Sequence, residues 1–255
     1  MKKSILLFPL FFSSYSFSQE EMETDRPDQT ECSSVVKHKA IQLETGVVFS
    51  KDRSNEVESN SFNYATSLIR IGLFKAAELR FEIGEYQKNY FIIDNKQFCS
   101  EGFTPFVIGT KIAVCEERGV IPQIAFIGHL ELPFGDKKYI SKNEVIPSFR
   151  FSLAHSLTSK ISLGYNLGME WESGSQIPNY VYTFTFARDL GEKGGVFIET
   201  FGSFTKSKYP ESYFDCGFTY SVFKNLQLDA SGGLALNKVS KDFFLSAGIS
   251  IRLPR

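Results

Sequence analysis

Apolar and polar residues alternate along most of the chain after residue 40. In residues 161–172, for example, every second residue from Ile161 to Trp171 is apolar, and the residues between them are polar or small. A period of two places the apolar set on one face of a β-strand and the polar set on the other. The pattern therefore predicts two-faced strands, each long enough to cross a bilayer when tilted.

Dividing the chain at its turn signals gives about 12 strands, and an even number is typical of single-chain bacterial membrane barrels. The predicted strands are residues 39–50, 61–73, 77–86, 104–116, 119–131, 144–157, 160–172, 178–189, 195–205, 211–222, 225–236 and 241–253.

The connections between these strands alternate between short turns and long loops. The predicted short turns are residues 74–76, 116–119, 157–159, 189–194 and 223–225. The predicted long loops are residues 51–60, 87–103, 133–143, 173–177, 206–211 and 237–241. Outer-membrane β-barrels have short periplasmic turns and long extracellular loops. We therefore expect an all-β fold, a single antiparallel transmembrane β-barrel of about 12 strands.

A soluble β-sandwich or a lipocalin-like barrel is the alternative fold. It would have to bury Tyr180, Tyr182, Phe184 and Phe186, which lie close together in one predicted strand. The alternation of loop lengths would then be a coincidence, so the membrane barrel is favoured.

The N-terminus has the features of a secretory signal peptide. Two lysines follow Met1, an apolar run covers residues 5–12, and small or polar residues come next. This apolar run is too short to span a bilayer. No other apolar run approaches about 18 residues, so no transmembrane helix is predicted. Because a signal peptide predicts export and the strand pattern predicts a membrane barrel, we predict that the protein lies in the outer membrane of a Gram-negative bacterium. The predicted divisions are a signal peptide (residues 1–18), a polar N-terminal segment at the periplasmic mouth (residues 19–38) and the barrel (residues 39–255).

Composition narrows the possible functions. The chain has 28 Lys and Arg against 29 Asp and Glu, and its net charge of -1 gives no electrostatic case for nucleic-acid binding. The 4 cysteines form no C-x-x-C motif and no cluster with histidine, so neither a metal site nor a cofactor is expected. The expected contacts are membrane lipid and a small-molecule solute, while the oligomeric state stays open.

Charged residues fall repeatedly on the polar face of the predicted strands. On a lipid-facing side such charges would cost about 2 to 4 kcal/mol each near the bilayer midplane, so we place them in the lumen. One interpretation is a pore whose charges filter solutes, and the other is a set of paired charges that fill the barrel. The predicted lumen residues are Gln42, Glu44, Arg70, Glu78, Arg80, Glu82, Lys111, Arg150, Glu170, Glu199, Asp215, Asp229 and Arg252.

A polar motif precedes the first strand, and it is too polar for a strand in lipid. It consists of Thr24, Asp25, Arg26, Pro27, Asp28, Gln29, Thr30 and Glu31. Together with Leu-Ile-Arg-Ile-Gly-Leu at residues 68–73, Glu-Leu-Arg at 78–80 and the ending at 248–255, it resembles the transporters of the MetA-pathway phenol-degradation family. The resemblance covers essentially the whole mature chain. It implies an outer-membrane barrel that passes small molecules, with aromatic compounds suggested by the family's name.

We therefore expect an outer-membrane channel or transporter for passive passage of small molecules. The alternative is a non-conducting barrel with a structural or surface-interaction role. An enzyme is not expected, because His129 and His155 fall at opposite rims of the barrel and Ser156 points away from His155.

Two cysteines offer one conditional prediction. If the polar motif folds back into the periplasmic mouth, Cys32 could approach Cys115 within disulfide range, and its charges could meet Lys111 or Arg252. The other possibility, which we favour, is that all the cysteines are unpaired.

Overall fold

In the computed structural model, residues 22–54, 57–93, 96–206, 208–237 and 243–254 are described. The predicted signal peptide (residues 1–18) and most of the predicted loop 237–241 lie outside them. The strands are β1 (Ile41–Ser54), β2 (Val57–Tyr64), β3 (Ser67–Phe74), β4 (Ala77–Ile83), β5 (Tyr86–Ile93), β6 (Lys96–Phe103), β7 (Phe106–Cys115), β8 (Gln123–Leu132), β9 (Ile146–Thr158), β10 (Ile161–Glu170), β11 (Asn179–Leu190), β12 (Gly194–Thr205), β13 (Lys208–Phe223), β14 (Leu226–Ala235) and β15 (Phe243–Leu253).

The sheet closes on itself. The first strand, β1, pairs antiparallel with the last, β15, from Ile41 opposite Leu253 to Lys51 opposite Phe243. Three pairs of segments, β2 with β3, β4 with β5, and β6 with β7, are consecutive parts of one barrel strand, separated by two-residue breaks. The molecule is therefore a closed 12-stranded antiparallel barrel, and the predicted fold class is confirmed. Among the described residues, no helix is long and apolar enough to cross a bilayer.

Two predicted long loops, residues 51–60 and 87–103, are instead largely strand. β1 continues to Ser54, and β2, β5 and β6 form a paired extension beyond the barrel. Cross-strand aromatic pairs hold this extension, with the ring centroids of Phe49 and Phe62 4.8 Å apart. Outside the bilayer a strand needs no apolar face, so its polar sequence looked like a loop.

One predicted strand begins later than expected. The strand predicted from residue 119 begins at Gln123, because Gly119 adopts a left-handed φ of 63° within a turn closed by Arg118 and Ile121. Glycine takes this conformation at no steric cost.

The burial pattern is the inverse of that of a soluble protein. Among the described residues, the buried apolar side chains are only Val36, Ala40, Ala125, Ile127 and Phe197. Large apolar side chains of nearly every strand are exposed on the outer surface instead, such as Leu167 (55% exposed) and Phe218 (55%). An apolar exterior around a closed barrel is the arrangement that lipid requires. The protein is therefore located in the outer membrane.

Candidate functional site in the barrel lumen

The predicted lumen residues divide into two groups by burial. Glu82, Arg150, Glu170 and Arg252 are partly exposed. The others are almost fully buried within the barrel: Gln42, Glu44, Arg70, Glu78, Arg80, Lys111, Glu199, Asp215 and Asp229.

The chain before β1 passes through this charged interior. We call residues 23–36 the lumen segment. Its side chains and backbone form hydrogen bonds with inward residues of β1, β3, β4, β7, β8, β9, β10, β11, β12, β14 and β15.

Asp25 is the centre of the contacts on one side of the lumen. Its carboxylate lies 2.6 Å from Arg80 Nη1, 2.9 Å from Lys111 Nζ and 3.4 Å from Arg70 Nη1. Burial opposes its ionisation, but the charges of Arg70, Lys111 and Arg80 outweigh burial and hold the pKa of Asp25 well below its ordinary value. Asp25 is therefore an ionised anchor held by three buried cations.

The same cations are also paired with the carboxylates of the barrel. Arg70 donates to Glu44 at 3.0 Å and to Glu78 at 2.8 Å. Arg80 donates to Glu78 at 3.1 Å. Glu44 in turn accepts the backbone N–H groups of Asp25 and Arg26, at 2.9 and 3.1 Å. The wall formed by β1, β3, β4 and β7 is thus a neutralised network into which the lumen segment fits.

Glu31 anchors the other end of the motif. Its carboxylate accepts from Arg80 Nη2 at 2.6 Å, and its carbonyl accepts from Ser152 at 2.5 Å and from Asn166 at 3.1 Å. The charge of Arg80 overcomes the effect of burial and lowers the pKa of Glu31. This end is therefore fixed by charge and by neutral hydrogen bonds together.

Gln29 and Thr30 contact the opposite wall. The Gln29 N–H donates to Glu199 at 2.7 Å, and the Thr30 hydroxyl is hydrogen-bonded to Glu199 and to Thr183. Thr185 donates to the same Thr30 hydroxyl at 2.6 Å. The lumen segment consequently bridges the barrel from one side to the other.

The side chain of Arg26 packs against two glycines of the barrel wall. Gly46 of β1 and Gly248 of β15 are cross-strand partners, and an added Cβ would lie 2.5 Å from Arg26 at Gly46 and 2.3 Å from it at Gly248. The guanidinium donates to Asp229 at 3.1 Å and to Ser246 at 2.9 Å. Two side-chain-free positions therefore make room for the only arginine of the motif.

The remaining motif residues complete the docking. Thr24 accepts from Gln227 at 2.8 Å, and the carbonyl of the buried Pro27 accepts from Ser231 at 3.4 Å. Asp28 differs from Asp25 and Glu31, whose pKa values are lowered. Burial and the carboxylates of Glu199 and Asp215 raise the pKa of Asp28 well above its ordinary value.

The conditional disulfide between Cys32 and Cys115 does not form. Both are free thiols with separate partners: Cys32 Sγ lies 3.4 Å from the hydroxyl of Ser34, and Cys115 Sγ lies 3.6 Å from the carbonyl of Pro122. β7 contains an irregularity between Ala113 and Cys115, which breaks the strict alternation on which the prediction rested. Burial raises the pKa of Cys32 to about 12, so its thiol is unreactive while docked.

At the rims of the lumen, Arg150 donates to Glu170 at 2.5 Å. His129 accepts from Arg80 at 3.0 Å, whereas His155 stacks on Tyr165. Among the described residues, no group of three or more His, Cys, Asp or Glu side chains could hold a metal ion.

Residues of the lumen segment line four cavities inside the barrel, and two of these lie on opposite sides of the segment. The outer cavity, of about 410 Å³, lies on the side of the long loops, and the inner cavity, of about 640 Å³, lies beside the short turns at 159–160 and 191–194. Arg26 and Asp28 line both. The lumen segment therefore lies between a cavity on the side of the long loops and a cavity on the side of the short turns.

Sequence reasoning missed the neutral partners of the motif. Ser152, Asn166, Thr183 and Thr185 are buried and hydrogen-bonded to it, directly or through Glu199. Their signal was their position on the polar face of β9, β10 and β11, but small polar residues there are common in any barrel.

A closed antiparallel barrel with an apolar exterior, whose polar lumen holds its own N-terminal segment, belongs to the outer-membrane β-barrel proteins. The sequence profile of the family described as the MetA-pathway of phenol degradation matches residues 24–253, and the chain belongs to that family. No curated protein sequence matches the chain.

Solved structures share the fold. An outer-membrane channel from Pseudomonas putida F1 has 11% identity and a TM-score of 0.64, over 86% of this chain and 97% of that chain. The KdgM porin in complex with disordered oligogalacturonate has 10% identity and a TM-score of 0.53, over 83% and 98%. The translocator domain of the autotransporter NalP from Neisseria meningitidis has 9% identity and a TM-score of 0.52, over 85% and 88%. At identities this low, the structural similarity shows a common fold alone.

Proposed function

We propose that the protein is an outer-membrane channel for the passive passage of small molecules, and that the lumen segment sets the width of its pore. The observation that carries this proposal is the pair of cavities that meet at Arg26 and Asp28. A barrel that served only as a rigid scaffold would not need cavities on both sides of the segment. The fold shared with a Pseudomonas putida outer-membrane channel and with a porin agrees with it.

The charged network explains why the segment stays in place. Each buried cation has carboxylate partners, and pairing is what makes buried charge tolerable. The segment supplies part of that pairing through Asp25 and Glu31. We infer that docking of the segment is the native state, and that solutes pass beside it rather than after its release.

We also propose that the barrel carries out no covalent chemistry. The histidines at the two rims have structural partners, since His129 accepts from Arg80 and His155 stacks on Tyr165. The backbone N–H of Ser156 is held by Glu117 at 2.9 Å. These contacts support positioning roles for residues that otherwise resemble a nucleophile and its base.

Reconstitution of the mature protein in liposomes tests the proposal. Vesicles containing folded protein should be permeable to small polar solutes, and vesicles with heat-denatured protein should not. Impermeable vesicles containing folded barrel would contradict it. The solute itself, including the aromatic class suggested by the family's name, stays a prediction.

A non-conducting barrel with a surface role is the second candidate. The paired extension of β2, β5 and β6 favours it, because it presents a sheet beyond the membrane whose outermost strand is β6. An impermeable but correctly folded protein in the liposome experiment would favour this candidate.

A further inference from the structure

The lumen segment runs around the inside of the barrel wall. Glu31 contacts β9 and β10, Thr30 contacts β11, and Pro27 contacts β14. Arg26 reaches β14 and β15, and Asp25 returns to β1, β4 and β7. Because these contacts follow the order of the strands in the closed sheet, this part of the segment makes a circuit of the lumen.

A hydrogen bond closes this circuit. The backbone N–H of Cys32 donates to the Asp25 carboxylate at 2.8 Å, so the two ends of the circuit are joined. The same carboxylate is held by the buried cations Arg80 and Lys111. The circuit is therefore a ring fixed to the wall, and we call residues 25–32 the inner ring.

One junction of the barrel wall joins strands that are far apart in the chain. β1 and β15 pair from Ile41 opposite Leu253 to Lys51 opposite Phe243, and we call this junction the closing seam. Every other pair of neighbouring barrel strands is consecutive in the chain and is connected by one turn or loop. Bringing distant parts of a chain together costs conformational entropy, which the contacts at the closing seam have to offset.

Two glycines face each other in the middle of the closing seam. Gly46 of β1 is opposite Gly248 of β15, and glycine within a strand has no side chain to pack against its neighbours. The Arg26 side chain fills this place, since an added Cβ at either glycine would lie 2.5 Å or less from its guanidinium group. The inner ring therefore supplies the side chain that the closing seam itself lacks here.

Arg26 also holds both sides of the closing seam by hydrogen bonds. On one side, Nη2 donates to Asp229 of β14 at 3.1 Å and to Ser246 of β15 at 2.9 Å. On the other side, Nη1 donates at 3.1 Å to Thr66, whose own N–H donates to the carbonyl of Gly46 in β1. The bond to Asp229 joins two charged groups, which makes it stronger than a neutral hydrogen bond. One guanidinium group thus connects strands that lie on both sides of β1.

The backbone that carries Arg26 is itself fixed near the closing seam. Glu44 of β1 accepts the N–H groups of Asp25 and Arg26, at 2.9 and 3.1 Å. Gln227 of β14 donates to the hydroxyl of Thr24 at 2.8 Å. The chain on which Arg26 lies is therefore anchored to β1 and to β14, so its side chain is positioned to act as a clamp.

We propose that the inner ring has a second function, which is to keep the barrel closed by clamping the closing seam through Arg26. This function concerns the integrity of the wall, so it does not depend on whether the lumen conducts. Without the clamp, β1 and β15 would keep their backbone hydrogen bonds and lose the bridge between them. The closing seam would then open locally more often than the other strand pairs.

Hydrogen exchange of the full mature protein in detergent, followed by mass spectrometry, tests the clamp. Arg26→Met keeps an unbranched side chain and removes the hydrogen bonds. The amides of β1 and β15 should then exchange roughly tenfold faster, whereas those of β9 and β10, halfway around the sheet, should keep the wild-type rate. The matched control Arg118→Gln removes an exposed arginine between β7 and β8 and should change neither rate.

Two results would overturn the inference. Exchange in β1 and β15 that is unchanged by Arg26→Met would show that the closing seam does not need the clamp. Equal acceleration in all strands would show a general loss of stability instead of a local one. If Arg26→Met does not fold because Asp229 is left buried without its cation, Arg26→Met/Asp229→Asn removes that charge while the clamp is still missing. The same local acceleration is expected in the double variant, and its absence there would also overturn the inference.

Discussion

Replacing Asp25 with asparagine should loosen the lumen segment without rebuilding the barrel. The change keeps the size of the side chain and removes its charge. Arg70 and Arg80 would each keep other carboxylates, whereas Lys111 has Asp25 as the one carboxylate it contacts directly in the described residues. Lys111 is fully buried, so its charge would be left uncompensated while the segment is docked.

The magnitude follows from that one orphaned charge. Removing one partner of a buried ion pair costs about 3 to 5 kcal/mol. Because an amide oxygen still accepts a hydrogen bond, we take the lower end, about 3 kcal/mol, which corresponds to a roughly hundredfold shift towards the undocked segment. With the segment out, Lys111 would be hydrated, so the penalty applies to the docked state.

Labelling of Cys32 with a maleimide measures this shift. In a background of Cys99→Ser, Cys115→Ser and Cys216→Ser, Cys32 is the one thiol left among the 4 cysteines of the chain. When opening is fast, the labelling rate follows the undocked fraction. Asp25→Asn should therefore raise the rate by roughly two orders of magnitude.

The control is Asp189→Asn, which removes an exposed carboxylate at the end of β11 and should leave the rate unchanged. Equal labelling of Asp25→Asn and the parent would refute the role of Asp25 as the anchor. Fast labelling of the parent itself would refute docking.

Three further predictions concern the same network. Arg70→Met leaves Glu44 and Glu78 without their shared arginine, so it should lower the free energy of unfolding by about 3 to 5 kcal/mol, measured by urea unfolding in detergent. Arg70→Lys should lower it less. Equal stability of the wild type and both variants would contradict the network. Gly248→Ala places a Cβ 2.3 Å from Arg26 Nε, so it should displace the guanidinium from Asp229 and speed Cys32 labelling, whereas Gly191→Ala, in a turn with no atom within 4 Å of a Cβ, should strain only its own backbone. Docking lowers the pKa of Asp25, so its contribution to the stability of the docked segment is present above its ordinary pKa of about 3.9 and is lost as the pH falls below that value. Hydrogen exchange of residues 23–36, corrected for the intrinsic rate, should therefore stay slow from neutral pH to about pH 5 and accelerate only in stronger acid.

The period of two carried most of what the sequence could predict. It is a local property, because every second side chain of a strand faces the same way whatever the strand pairs with. Lipid on one side then fixes which set is apolar. The number of strands and the outward position of residues such as Leu167 and Phe218 could therefore be predicted. The extension of β5 and β6 lies outside the lipid, and there the period loses its meaning.

The contacts of the lumen segment could not be predicted in the same way. That Asp25 meets Lys111, 86 positions later in the chain, depends on the path of the segment inside the closed barrel. The sequence also does not show that Glu44 pairs with Arg70, whereas the carboxylate oxygens of Asp215 have no hydrogen-bond partner among the described residues. A strand position gives the face of a residue, and only the assembled lumen gives its partner.

The most direct test of the central claim is the conductance of the mature barrel with and without its lumen segment. Planar-bilayer recordings would compare the wild type with a variant lacking residues 23–36, and with Asp25→Asn/Glu31→Gln in case the deletion does not assemble. A segment that narrows an otherwise open pore predicts a small wild-type conductance and a clearly larger one in the variants. Equal conductance in wild type and correctly folded variants would contradict the claim that this segment sets the width of the pore.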